Sequence, residues 1–178
     1  MSGKEKYDFI CSLGGNCAAA HNLLYKNLRT VALPFDWTYF NSDEAVYRLA
    51  DGFRDDFKNY ALISNFKELP VNSEHADRIQ YEDDYGKIVW ANHFSYNEDR
   101  EKNYREVKEK LDRRFQRLVD FVKKSKKILF LFSVSFEIKP EAFLNLITVL
   151  NKIYPDKLFK IRVLSFGAKK IWNIKMKI

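Results

Sequence analysis

Apolar and polar positions alternate with the period of a strand from Tyr7 to Leu13, where Phe9, Cys11 and Leu13 share one face and Ile10 points the other way. Gly14-Gly15 breaks that strand. Asn16 is suited to cap a helix, and Cys17–Asn27 carries Ala20, Leu23, Leu24 and Asn27 at helical spacing. Cys17 is therefore expected in the first turn of a helix that follows a glycine turn. Val31–Trp37 is expected to be extended around Pro34, because the residue before a proline avoids the α region. Ser42 or Asn41 is placed to cap a short helix, Asp43–Ala50, with Gly52 ending it. From Phe53 to Ile79 the pattern supports only short strands or loops. Arg78–Tyr81 and Lys87–Phe94 predict two strands joined by the polar turn Glu82–Gly86.

The clearest helical stripe is Tyr104, Val107, Leu111, Phe115, Leu118 and Val122, which predicts a helix over Asp99–Lys123. Lys127–Phe132 reads as a buried strand. Pro140 suits the first position of a helix, and Glu141–Tyr154 places Phe143, Ile147, Leu150 and Tyr154 on one face. Phe159–Phe166 predicts another strand, with Gly167-Ala168 turning the chain so that Lys170–Ile178 pairs back. This order predicts an α/β fold: a single layered domain over residues 1–178, with a mixed central sheet flanked by helices. The chain stops in strand-like sequence, as expected of a shortened member of a longer family.

Composition narrows the class. The 178 residues are 46% apolar and 31% charged, which is globular rather than disordered. The 16% aromatic content points to a core rich in large rings. The net charge of +7 raises nucleic acid or an anionic surface as partners. No nucleic-acid motif accompanies it, and the basic helix around Lys108–Arg117 is interleaved with Glu106, Glu109, Asp112 and Asp120. A solvated lysine-rich surface is the reading adopted. The longest apolar run, Ile128–Phe132, is too short to span a bilayer. No long apolar leader is present, and two cysteines make no disulfide framework, so a cytoplasmic location is expected.

The chemistry centres on Cys17. A thiol at a helix N-terminus is stabilised as thiolate by free N–H groups and the positive dipole end, and the same N–H groups can hold an oxyanion. Gly14 and Gly15 allow close approach of a substrate. The bland alternative is a small buried helix residue, which is how mid-strand Cys11 is read. A nucleophile needs a base, and there are three histidines. His21 lies one turn along the same helix and reads as surface, and His75 lies in a polar loop. His93, at the end of a strand, is the preferred base. Two roles fit Asp36, flanked by Phe35 and Trp37: it orients the imidazole, or it serves as a structural cap or ion-pair partner, with Arg29 for instance. Glu137 and Asn92 are alternatives, although Asn92 points to the opposite face from His93. No zinc spacing, Walker loop or dinucleotide fingerprint is present, so no metal or cofactor is expected.

The block Ser12-Leu13-Gly14-Gly15-Asn16-Cys17, then Ala20, Leu23 and Leu28-Arg29, then Pro34-Phe35-Asp36-Trp37, resembles a bacterial family of unknown function described as papain-like cysteine peptidases. His93-Phe94, the charged helix with Arg113-Arg114-Phe115 and the strand Ile128–Phe132 are also similar, so the resemblance spans residues 7–165. It implies a Cys–His site in which Cys17 matches the family's cysteine and His93 its later histidine. A papain-like third residue follows the histidine, whereas Asp36 precedes it, which keeps Glu137 open for that role. The expected function is a cysteine-dependent hydrolase of a peptide, amide or glycan-linked small substrate. The rival is a non-catalytic module that holds an anionic group, such as a phosphate or sugar phosphate, at the Gly14-Gly15-Asn16 turn.

Overall fold

The computed structural model describes residues 5–70, 77–96, 99–165 and 170–174. In chain order the elements are β1 (Phe9–Ser12), α1 (Ala18–Tyr25), β2 (Thr38–Phe40), α2 (Glu44–Asp55), β3 (Phe66–Glu68), β4 (Arg78–Asp83), β5 (Ile88–Ser95), α3 (Arg100–Lys124), β6 (Lys127–Val134), α4 (Pro140–Ile153), β7 (Leu158–Ser165) and β8 (Lys170–Ile174). The fold is α/β, as expected, but it holds two four-stranded sheets. One is mixed, in the order β1-β6-β7-β8: β6 is parallel to both β1 and β7, and β8 closes it antiparallel. The other, β2-β5-β4-β3, is antiparallel throughout.

β6 is central to the mixed sheet, with Ile128 between Phe9 and Phe159. Its alternate residues Ile128, Phe130, Phe132 and Val134 join the main core, and α4 packs there through Phe143, 5.0 Å from Phe132 between ring centres. α1 packs on β1 and β6, yet its buried Ala19, Ala20 and Leu23 stand outside that core cluster. With alternating side chains, this puts α1 on the opposite face of the sheet from α4. The antiparallel sheet meets α3 through a nest of rings: Phe115 lies 5.1–6.2 Å from Phe35, Phe57, Tyr60 and Trp90.

Three local expectations are corrected. Pro34–Trp37 is a 3₁₀ turn rather than an extended segment. The proline rule acts only on Leu33, which is extended at φ −118° and ψ 162°; the Asp36 carboxylate then accepts the Leu33 N–H at 2.8 Å and closes the turn. Gly52 does not end α2, which continues to Asp55 and stops at the left-handed Asp56. Gly52 is instead a packing glycine, since a Cβ there would lie 2.5 Å from the Phe57 ring. Neither Asn41 nor Ser42 caps α2; Asp43 precedes it and makes no side-chain cap, its carboxylate accepting the Lys139 N–H at 3.2 Å. The expected pairing of the last strand is present as β8 against β7, while Gly167-Ala168 lies outside the described residues.

Candidate active site

The turn after β1 is fastened by backbone bonds to β6. Leu13 N–H donates to the Leu131 carbonyl at 2.9 Å, and Ser133 N–H to the Gly14 carbonyl at 3.2 Å. Ser12 Oγ accepts the Gly14 N–H at 3.1 Å. Gly14 and Gly15 take φ of 96° and 93°, the region that favours glycine. Space forbids a side chain as well: a Cβ at Gly15 would lie 2.4 Å from the Ser133 carbonyl oxygen, and one at Gly14 would lie 2.7 Å from Thr38 Oγ1. The cap position of α1 is Cys17, not the expected Asn16; Asn16 stands just before it, its Oδ1 accepting the Ala18 N–H at 3.0 Å while its Nδ2 donates to Ser135 Oγ at 3.2 Å. Cys17 follows, already helical at φ −71° and ψ −14° and only partly buried. The N–H groups of the first turn of α1 have no intrahelical acceptor.

This turn lies where the topology favours a site. β1 leads to a helix on one face of the sheet and its neighbour β6 leads to a helix on the other, so the carboxyl ends of the two strands form the switch point where open α/β sheets bind ligands. A cleft of about 510 Å³ opens there, lined by Gly15, Tyr39, Phe40, Asn41, Leu69, Gln80, Val89, Ser135 and Phe136. Its walls come from both sheets, and they are joined directly: Phe40 N–H of β2 donates to the Gly15 carbonyl at 3.2 Å.

Tyr39 lines this cleft from β2. Burial first, then Cys17, raise its phenol above the ordinary value. The Tyr39 hydroxyl is therefore protonated at neutral pH. Neither Tyr39 nor Ser135 was among the sequence candidates. The only available signal is that Tyr39 is the outward residue of the alternating Thr38–Tyr39–Phe40 strand, a weak cue in so short an element.

The other candidates have surroundings of their own. β5 carries a bulge, because Ile79 of β4 pairs with Phe94 but Tyr81 pairs with Trp90. The bulge turns the His93 ring edge-on to Trp90, 5.4 Å between centres, on the side of the sheet that faces α3. Tyr39 and its partner Val89 occupy the other side. His93 and Cys17 share no hydrogen bond or ring contact among the described residues. Burial above all, and then Arg114, Lys110 and Arg78, push His93 down to about 3, and its Nε2 is enclosed without a hydrogen-bond partner. Asp36 is buried and takes a bidentate contact from Arg29, Nε at 2.9 Å and Nη2 at 2.7 Å, beside the Leu33 N–H. This is the cap and ion-pair role weighed for it. Glu137 and Asn92 are exposed, and His21 lies edge-on to Trp37 at 4.8 Å. His75 lies outside the described residues. Cys11 is a core thiol, pushed well above its ordinary pKa by burial and by Asp36. Among the described residues no group of three or more His, Cys, Asp or Glu is arranged to hold a metal. No helix among them is long and apolar enough to cross a membrane.

The fold is α/β, with a glycine turn and a partly buried cysteine at a helix start beside a cleft at the strand switch point. The chain belongs to the family described as "Putative papain-like cysteine peptidase (DUF1796)", which matches residues 8–166. No curated protein and no solved structure matches it significantly.

Proposed function

We propose that the chain hydrolyses peptide or amide bonds through Cys17. The observation that carries this reading is the placement of the partly exposed Cys17 at the start of α1, immediately after the glycine turn that walls the switch-point cleft. The thiolate adds to the carbonyl carbon, and N–H groups at the start of α1 other than that of Ala18, which Asn16 occupies, hold the oxyanion that forms. Collapse expels the amine and leaves a thioester, which water then cleaves to release the acid and restore the thiolate. Family membership supports the same chemistry. Among the described residues the cleft lining carries no lysine, arginine or histidine that would favour the anion-binding alternative.

A titration tests this without a known substrate. Alkylation of Cys17 by iodoacetamide, followed by mass spectrometry across pH, is expected to give an apparent pKa clearly below the free-thiol value of about 8.5. A Cys17 that reacts as a free thiol, or does not react in the folded protein, overturns the hydrolase reading.

A further inference from the structure

We propose that the cavity between the antiparallel sheet and the first turns of α3 binds an uncharged small molecule of one or two fused rings that carries a hydrogen-bond acceptor. The site is separate from Cys17 and does not depend on the hydrolase reading.

β4 divides the two sites. Its Gln80 lines the switch-point cleft, while Ile79 and Tyr81 on either side of it line a second cavity of about 250 Å³. Successive strand residues point to opposite faces, so the antiparallel sheet stands between the cleft and this cavity. Phe66 of β3 and Phe94 of β5 complete the sheet side, and Arg100 and Tyr104 of α3 close the other. The rings hold one another. Phe66 stacks on Tyr81 at 5.1 Å between centres and meets Phe94 and Tyr104 edge-on at 5.5 and 6.0 Å. Tyr104 is fixed a second time through its hydroxyl, which accepts the Ile63 N–H at 3.0 Å and donates to the Ala61 carbonyl at 3.4 Å. The pocket is thus preformed. An apolar cavity of about 150 Å³ takes up benzene, and the larger volume here accommodates two fused rings.

The charges beside the cavity set the charge of the ligand. Among the described residues, Arg100 and Glu101 are the charged groups that line it, and both are already paired. Arg100 donates through Nη1 and Nη2 to the Glu68 carboxylate at 2.9 and 3.3 Å. Glu101 is mostly exposed and lies 3.3 Å from Arg105. An ionic ligand would therefore enter an apolar space with no counter-ion to meet it, at a high desolvation cost. One polar group remains for a neutral ligand. The Tyr81 hydroxyl accepts from Arg100 Nη1 at 3.0 Å, and no hydrogen bond among the described residues takes its own proton. That proton is available to an acceptor at the edge of the bound ring.

The test follows the fluorine NMR line of 6-fluoroquinoline at pH 8, where the compound is neutral and its ring nitrogen is an acceptor. The full chain is expected to shift and broaden that line saturably, with a Kd below about 1 mM, the scale of a small ring in such a pocket. The anionic 6-fluoroquinoline-2-carboxylate and the cationic N-methyl-6-fluoroquinolinium are expected to bind at least about 10-fold more weakly. Tyr81→Phe is expected to weaken 6-fluoroquinoline by about 5-fold and to leave 2-fluoronaphthalene, which has no acceptor, unchanged. Ile63 stands 58% exposed at the rim, so Ile63→Trp is expected to fill the pocket and abolish binding with an unchanged circular dichroism spectrum. Cys17→Ala is expected to bind like the wild type. The proposal is overturned if the wild type gives no saturable shift, if either ion binds as tightly as the neutral ring, or if Ile63→Trp still binds. It is also overturned if Tyr81→Phe weakens both neutral rings alike or neither, or if Cys17→Ala loses binding.

Discussion

At Gly15 the backbone conformation and the nearness of β6 act together. An alanine there combines a strained positive φ with a Cβ 2.4 Å from the Ser133 carbonyl, so the turn must detach from the strand. Gly15→Ala is expected to cost at least about 2 kcal/mol in urea unfolding and to slow Cys17 alkylation in the protein that remains folded. Asp36→Ala strips Arg29 and the Leu33 N–H of their shared acceptor. A loss of about 3–5 kcal/mol is expected, as when a buried pair is broken on one side. His93 is held neutral, pushed down to about 3 from 6.5. Its folded pKa lies below the unfolded one, so the unfolded chain binds the extra proton between those values. The stability it contributes is complete above pH 6.5 and is lost as the pH falls toward 3, by up to about 1.4 kcal/mol per pH unit. His93→Gln is expected to flatten that slope, measured as urea midpoints at pH 7 and pH 5. These residues also mark how far the sequence could be read. Gly14, Gly15, Asn16 and Cys17 lie together because the motif is contiguous, and local chemistry suffices to place them. His93 could not be placed from alternation, since a bulge reverses the face on which its ring lies, and nothing in Ala91-Asn92-His93 announces one.

Among the elements, α3 is both the longest and the most legible. Its stripe is fixed by the helical repeat, and it was expected within a residue or two of its observed ends. Phe115 at its middle meets four other rings that come from the 3₁₀ turn, the segment after α2, and β5. Phe115→Ala is expected to cost about 3–5 kcal/mol, and a much smaller loss in thermal or urea unfolding would mean that the ring nest is not the keystone it looks like. The short pieces were illegible for a physical reason. β2 and β3 have three residues each and draw their definition from partners rather than from a repeat. The turn after β4 is similar. It is organised by the buried Asp83, which accepts N–H groups from Ala61, Tyr85 and Gly86 and the Trp90 indole, a convergence of distant groups that a linear pattern does not encode.

At the scale of the whole molecule, the two cysteines give independent reports on one chain. Cys11 is 1% exposed and Cys17 only partly buried. In rising urea, Cys11 is expected to be alkylated only along the global transition seen by circular dichroism, whereas Cys17 reacts in the folded state. Labelling of Cys11 ahead of that transition would show that the mixed sheet opens locally. The expected α/β class and mixed sheet were legible because strands and helices alternate in the sequence. The second sheet was not, because its strands are short and two of them border the stretch with the weakest pattern.

The pairing of β1 with β6 has a consequence for the order of events during synthesis. The strand that leads to Cys17 cannot find its partner until Ile128–Leu131 has been made, and β2, which walls the cleft beside it, waits for β5. A growing chain therefore carries Cys17 next to an unpaired strand for most of its time on the ribosome. The turn that carries Cys17 and the cleft beside it are completed only once both β5 and β6 have emerged.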